Sequence, residues 1–141
     1  SMVRCVVDEL LVEGYPGAEV FNNGIRSGRI HVIEATTTAL DRPGFSRLGP
    51  GERATIQAYF EGAGRFVMLD DGPGAKICRQ YQVPYINALL VPRIFHETGR
   101  ISFQTFNSKR QSILESARYS KAIIHFADTC PPGALEYFFP K

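Results

Sequence analysis

Between Val3 and Leu11 the apolar positions fall at Val3, Val6, Val7, Leu10 and Leu11. This is the i, i+3, i+4, i+7 spacing that lines one face of a helix. It predicts a first helix over 3–13, stopped by Gly14-Tyr15-Pro16-Gly17 because glycine and proline interrupt helical patterns. A second helix is expected after Pro16, running through Phe21 and Ile25. Arg29-Ile-His-Val-Ile-Glu34 alternates β-branched residues at period two and reads as a strand, followed by a Thr-, Pro- and Gly-rich loop up to Pro50. Proline suits the first turn of a helix, so a helix is expected over 52–61, ended by Gly62 and Gly64. Phe66 to Leu69 is a short unbroken apolar run, the pattern of a strand buried on both faces. A helix over 75–81, a strand over 83–86 and a helix over 88–97 with Pro92 near its first turns come next. Helices over 103–117 and 120–127 precede a C-terminal tail over 129–141. The alternation of strands and helices predicts an α/β fold in which helices cover one short, mainly parallel sheet.

Composition narrows the class of protein without naming its chemistry. A chain of 141 residues fits a single domain over 1–141 with its own core. An apolar fraction of 44% and a charged fraction of 21% are those of an ordinary globular protein, which excludes disorder across the body of the chain. The net charge of +2 comes from interspersed signs, so no electrostatic footprint of nucleic-acid binding stands out. Cys5, Cys78 and Cys130 are widely spaced and lack a ligand pattern, which argues for reduced thiols in a cytoplasmic protein and against structural zinc. No apolar run approaches the roughly 20 residues of a membrane span, and the start lacks a signal-peptide pattern, so no membrane partner is expected.

The candidate chemistry centres on Arg65-Phe-Val-Met-Leu-Asp-Asp-Gly-Pro-Gly-Ala75, an apolar strand ending in two carboxylates before a glycine-rich turn and a helix. Open α/β sheets bind ligands beyond the carboxyl ends of their strands, which places Asp70 and Asp71 where such a fold works. Glu9 on the first helix and Glu52 at the start of another are the carboxylates that would converge with them. Grouped carboxylates repel unless a cation neutralises them, and Mg²⁺ takes a few carboxylates together with water and phosphate oxygens. Each residue also has a plain structural role, Glu52 as a dipole-favoured helix start and Asp70-Asp71-Gly72 as a turn. Arg53, Lys76 and Arg79 flank the carboxylates and suit RNA phosphates, although solvated helix faces explain each one alone. Asn87 reads as a helix cap. His31, His96 and His125 have no Ser or Cys partner at triad spacing. Gly72-Pro73-Gly74 and Gly49 to Gly51 fit neither nucleotide-binding loop.

Two segments carry a resemblance. Leu48-Gly-Pro-Gly-Glu-Arg-Ala-Thr-Ile-Gln-Ala58 followed by Phe66-Val-Met-Leu-Asp-Asp-Gly-Pro-Gly-Ala-Lys-Ile-Cys78 resembles the later half of PIN-domain proteins, a metal-dependent ribonuclease-like family that includes many bacterial and archaeal toxins. Val3-Arg-Cys-Val-Val-Asp-Glu-Leu10 is similar to the family helix that bears an essential glutamate, which falls on Glu9. Arg118-Tyr119-Ser120, with Ile123, Ile124 and Ala127, is similar to the end of one branch. The resemblance implies a PIN-like three-layer sandwich with Glu9, Glu52 and Asp71 as ligands of Mg²⁺ or Mn²⁺ and Asp70 assisting. It implies hydrolysis of RNA phosphodiesters by a metal-activated water, and, for a toxin, a cognate antitoxin as partner. The family's first central strand, which ends in an aspartate, would precede the helix at Val3 and is missing here. Its absence implies unpaired strand edges covered by self-association. It also supports a second reading, a degenerate, non-catalytic oligomerisation or interaction module.

Overall fold

Val3 lies in a strand, although its spacing assigns it to the first helix. The computed structural model describes residues 1–14, 17–35, 42–70 and 72–140. β1 (Met2–Val3) pairs in parallel with β2 (Val32–Ile33), with Val3 opposite Ile33. Pairing holds Val3 extended at φ −75°, ψ 147°, and α1 (Arg4–Leu10) begins directly after it. α1 also stops earlier than its apolar pattern suggests, leaving Leu11 and Val12 exposed. Tyr15 and Pro16 of the expected stop, and residues 36–41 of the long loop, lie outside the described residues.

The chain divides into two compact units, 1–67 with 76–84 and 68–75 with 85–141. In the first, α2 (Ala18–Arg26) runs unbroken through Asn22-Asn23-Gly24. Gly24 lets the Ile30 side chain pack closely on this helix, since a Cβ at this position would come within 2.7 Å of Ile30 Cδ1 and make that side chain shift. After a 3₁₀ turn at Phe45–Arg47, α3 (Pro50–Phe60) packs against β1 and α1. Proline at its start is tolerated because the first turn of a helix has no backbone acceptor for that N–H. Ile56, Val7 and Cys78 are fully enclosed in the core of this unit, together with Phe45, Leu48, Val67, Ile77 and Val83. Tyr81 meets Phe45 and Phe60 edge to face, and the Arg42 guanidinium lies 4.0 Å over the Phe60 ring.

Burial pushes the Cys78 thiol up from 9.0 to about 11; Glu52 adds to the rise and Arg79 opposes it. The unfolded thiol would ionise near 9, so the native state holds the extra proton between the two values. The stability this group contributes is complete below pH 9 and is lost as pH climbs towards 11, by roughly 2 kcal/mol. Thermal unfolding at pH 8 and pH 11 should therefore show a decline that is smaller in Cys78→Ala. An equal decline in both proteins would remove Cys78 as its cause.

In the second unit, β4 (Tyr85–Ile86) pairs with β3 (Val67–Met68), whose first residue ends the first unit. Leu69 N–H donates to the Ile86 carbonyl at 2.9 Å. The expectation of one mainly parallel sheet is corrected: among the described residues the strands form two separate two-stranded sheets, β1 with β2 and β3 with β4. Burial of Phe66 to Leu69 on both faces is corrected as well, because Met68 is 56% exposed. Successive side chains of a strand point to opposite faces, and in β3 the face that holds Val67 is buried while the face that holds Met68 is open.

α4 (Pro73–Gln80) carries the boundary between the units. The expected helix over 88–97 is split into a 3₁₀ turn, Ala88–Leu90, and α5 (Val91–Glu97), with Pro92 in the first turn of α5. Asn87 is the cap its sequence suggests, its side-chain oxygen accepting from Leu90 N–H at 3.2 Å. α6 (Phe103–Ser116) and α7 (Lys121–Thr129) are capped by Ser102 and Ser120 in the same way. The tail closes in a 3₁₀ helix, Pro132–Phe138, which buries Leu135. α5 packs on α6 and on this last helix, around a core of Leu89, Leu90, Ile94, Ala127 and Cys130. No helix among the described residues is long and apolar enough to cross a membrane.

Candidate acidic site

Glu9 and Glu52 meet at one place, the N-terminal turn of α3. Glu9 lies on the exposed side of α1, one turn past Val6. Gly51, buried in the first turn of α3, makes room for both: a Cβ there would sit 3.0 Å from Val6 Cγ2 and 3.4 Å from each carboxylate oxygen of Glu9. A Cβ at 51 would crowd Val6 and come into van der Waals contact with that carboxylate. Glu52 occupies the third position of the same helix, and its Oε2 accepts from Gly49 N–H at 3.1 Å. This is the reach-back bond expected of a glutamate at that position. The partial positive charge of the helix N-terminus favours both anions. The structure thus brings together two of the four carboxylates singled out in the sequence.

Asp70 belongs to the second unit, just past β3, and is exposed there. Its Oδ1 accepts from the Tyr119 hydroxyl at 2.8 Å and from Ala88 N–H at 3.5 Å. Burial, followed by this bond and the charge of Asp70, pushes the Tyr119 phenol well above its ordinary value. The hydroxyl therefore remains protonated, and remains a donor, across the neutral range. Asp71 lies outside the described residues. Arg53 and Lys76 are exposed on α3 and α4 of the first unit, as is Arg79, whose charge reaches the Cys78 thiol.

Carboxylate oxygens are the donors that hard divalent cations take, so Glu9 and Glu52 fit such an ion by donor type. Among the described residues no group of three or more His, Cys, Asp or Glu side chains is placed to hold a metal. Tyr119 and Arg93 carry roles that sequence patterns did not reveal. Tyr119 stands 49 positions from the carboxylate it holds. The Arg118-Tyr119-Ser120 run was its only signal. Arg93 bonds carbonyls 34 and 37 positions away, and nothing local marks it.

A family model described as a PIN domain matches residues 3–122 of the chain. No curated protein matches it, and no solved structure does.

Proposed function

The chain belongs to the PIN-domain family, an α/β family of nuclease-like proteins, and from that premise we propose that it is a metal-dependent endoribonuclease hydrolysing RNA phosphodiesters, of the kind found among toxin components. The observation that carries this reading is the meeting of Glu9 and Glu52 at the N-terminus of α3, with Gly51 leaving space for the Glu9 carboxylate. In this reading Glu9, Glu52 and Asp71 hold Mg²⁺ or Mn²⁺. A bound divalent ion supplies Lewis-acid charge that eases ionisation of water and steadies the leaving oxygen. The bond to Gly49 N–H keeps the Glu52 carboxylate turned back on its own helix, while the missing side chain at 51 seats Glu9 beside it. Tyr119 and Ala88 N–H hold Oδ1 of Asp70, which sets the direction of a carboxylate available to take a proton. Arg53, Lys76 and Arg79 neutralise phosphates without reading sequence.

Calorimetric titration with Mn²⁺ tests the reading on the protein and its Asp71→Asn and Glu9→Gln variants. Each loss of a carboxylate should weaken binding at least about tenfold, or ~1.4 kcal/mol, and abolish RNA cleavage in parallel. Equal Mn²⁺ affinity in all three proteins would sink it. A second reading, a non-catalytic interaction module, is favoured by exposed Leu11, Val12 and Val20 in the first unit, Val20 at 72%. It expects a stable oligomer by light scattering and no Mn²⁺ binding.

A further inference from the structure

We propose that a groove formed by α5, α6 and α7 in the second unit binds a base of single-stranded RNA, a docking site separate from the acidic residues. The proposal rests on the ribonuclease reading for its choice of polymer. The cavity is open, with a volume of about 470 Å³, within the range that accepts ligands of nucleotide size.

Its aromatic part is already arranged for stacking. The His96 and Phe106 rings are nearly parallel, 5.5 Å apart at 15°. Phe103 leans on both, at 5.8 Å and 6.1 Å, and remains 61% exposed. Phe103, Phe106, Asn107 and Arg110 share one face of α6 through their i, i+3, i+4, i+7 spacing. An aromatic face left open beside a stacked pair is the platform on which bases of single strands are held.

The polar groups argue for a base over a phosphate. Arg110 is bound bidentately to Asp128 at 2.8 and 2.7 Å, and Arg93 faces Glu97 at 3.6 Å. Both guanidinium charges are thus matched by carboxylates within the groove, and no excess positive charge remains to draw a phosphate. Asn107 is exposed, and its amide has no hydrogen-bond partner among the described residues. One amide offers both a donor and an acceptor to a base edge. His96 Nδ1 lies 3.3 Å from the Ile101 carbonyl. A carbonyl only accepts, so Nδ1 is the donor in that bond, which fixes the ring's orientation beside Phe106. The two arginine clamps tie α7 to α5 and α6, so the groove is formed before a ligand arrives, which lowers the ordering cost of binding.

Fluorescence anisotropy of a short labelled single-stranded RNA, measured in EDTA so that no cleavage occurs, tests the site. Phe103→Ala and Asn107→Ala alter exposed side chains, and circular dichroism checks that both variants fold. The groove predicts binding of the single strand in preference to a duplex of equal length, weakened roughly tenfold by Phe103→Ala and less by Asn107→Ala. Unchanged affinity in both variants, or no binding by the parent, overturns the proposal. A Mn²⁺-dependent cleavage assay with the same RNA separates this site from the reading beneath it. Cleavage with a binding affinity blind to both substitutions sinks the groove alone. Phe103-dependent binding without any cleavage sustains the groove and sinks the nuclease.

Discussion

Replacing Arg93 with methionine will destabilise the protein by about 3 kcal/mol, although methionine preserves most of the side chain's apolar length. Arg93 Nη1 donates to the Ala127 carbonyl and Nη2 to the Cys130 carbonyl, each at 2.6 Å, and Nη1 also lies 3.4 Å from Cys130 Sγ. These carbonyls stand at the end of α7, where a helix has no backbone donors left for its last acceptors. A cation there satisfies them and complements the negative end of the helix dipole. The side chain is only 13% exposed, so water replaces the lost bonds poorly. Hydrogen bonds from charged donors contribute about 1.5–3 kcal/mol each, less than additively when they share one side chain. Arg93→Lys should recover only part of the loss, because one ammonium cannot span two carbonyls as a planar fork does. Urea denaturation measures both variants through the midpoint at constant slope. A cost below about 1 kcal/mol for Arg93→Met would mean that α7 ends stably without this clamp.

Ile56→Ala should cost about 3–4 kcal/mol, an effect of equal or greater size. Ile56 has no exposed surface in the middle of α3. Truncation removes three carbons from a packed core and leaves a cavity that close-packed surroundings fill only in part. Ile56→Val, which removes one carbon, should cost about 1 kcal/mol. Because α3 also carries Gly51 and Glu52 and packs on β1 and α1, the proposed Mn²⁺ binding should weaken in this variant only where unfolding has begun. Paired urea and Mn²⁺ titrations check this. Metal affinity that falls in Ile56→Ala well below the unfolding transition would show that the core residue shapes the acidic turn itself.

Local features of the chain determined most of its helices and the kind of site to look for. Pro50 and Glu52 mark the start of α3 because their effects act within one helical turn. Asn87, Ser102 and Ser120 begin the helices that follow them through bonds to N–H groups three residues on. The PIN resemblance was legible in the short runs around Glu9, Glu52 and Asp70, which the match over 3–122 bears out at the level of the family. Tertiary structure alone decided the rest. Val3 fits a helical stripe, yet pairing with Ile33 takes it into a strand. Among the described residues the strands divide into two sheets, although their spacing reads as one. Tyr119 on Asp70, Arg93 on the end of α7 and Arg110 on Asp128 join residues 18 to 49 positions apart. Caps and turns act over three or four residues, so their signals stand in the chain itself. Strand partners and side-chain clamps form only after distant segments have met, and their geometry is set by packing around a closed core.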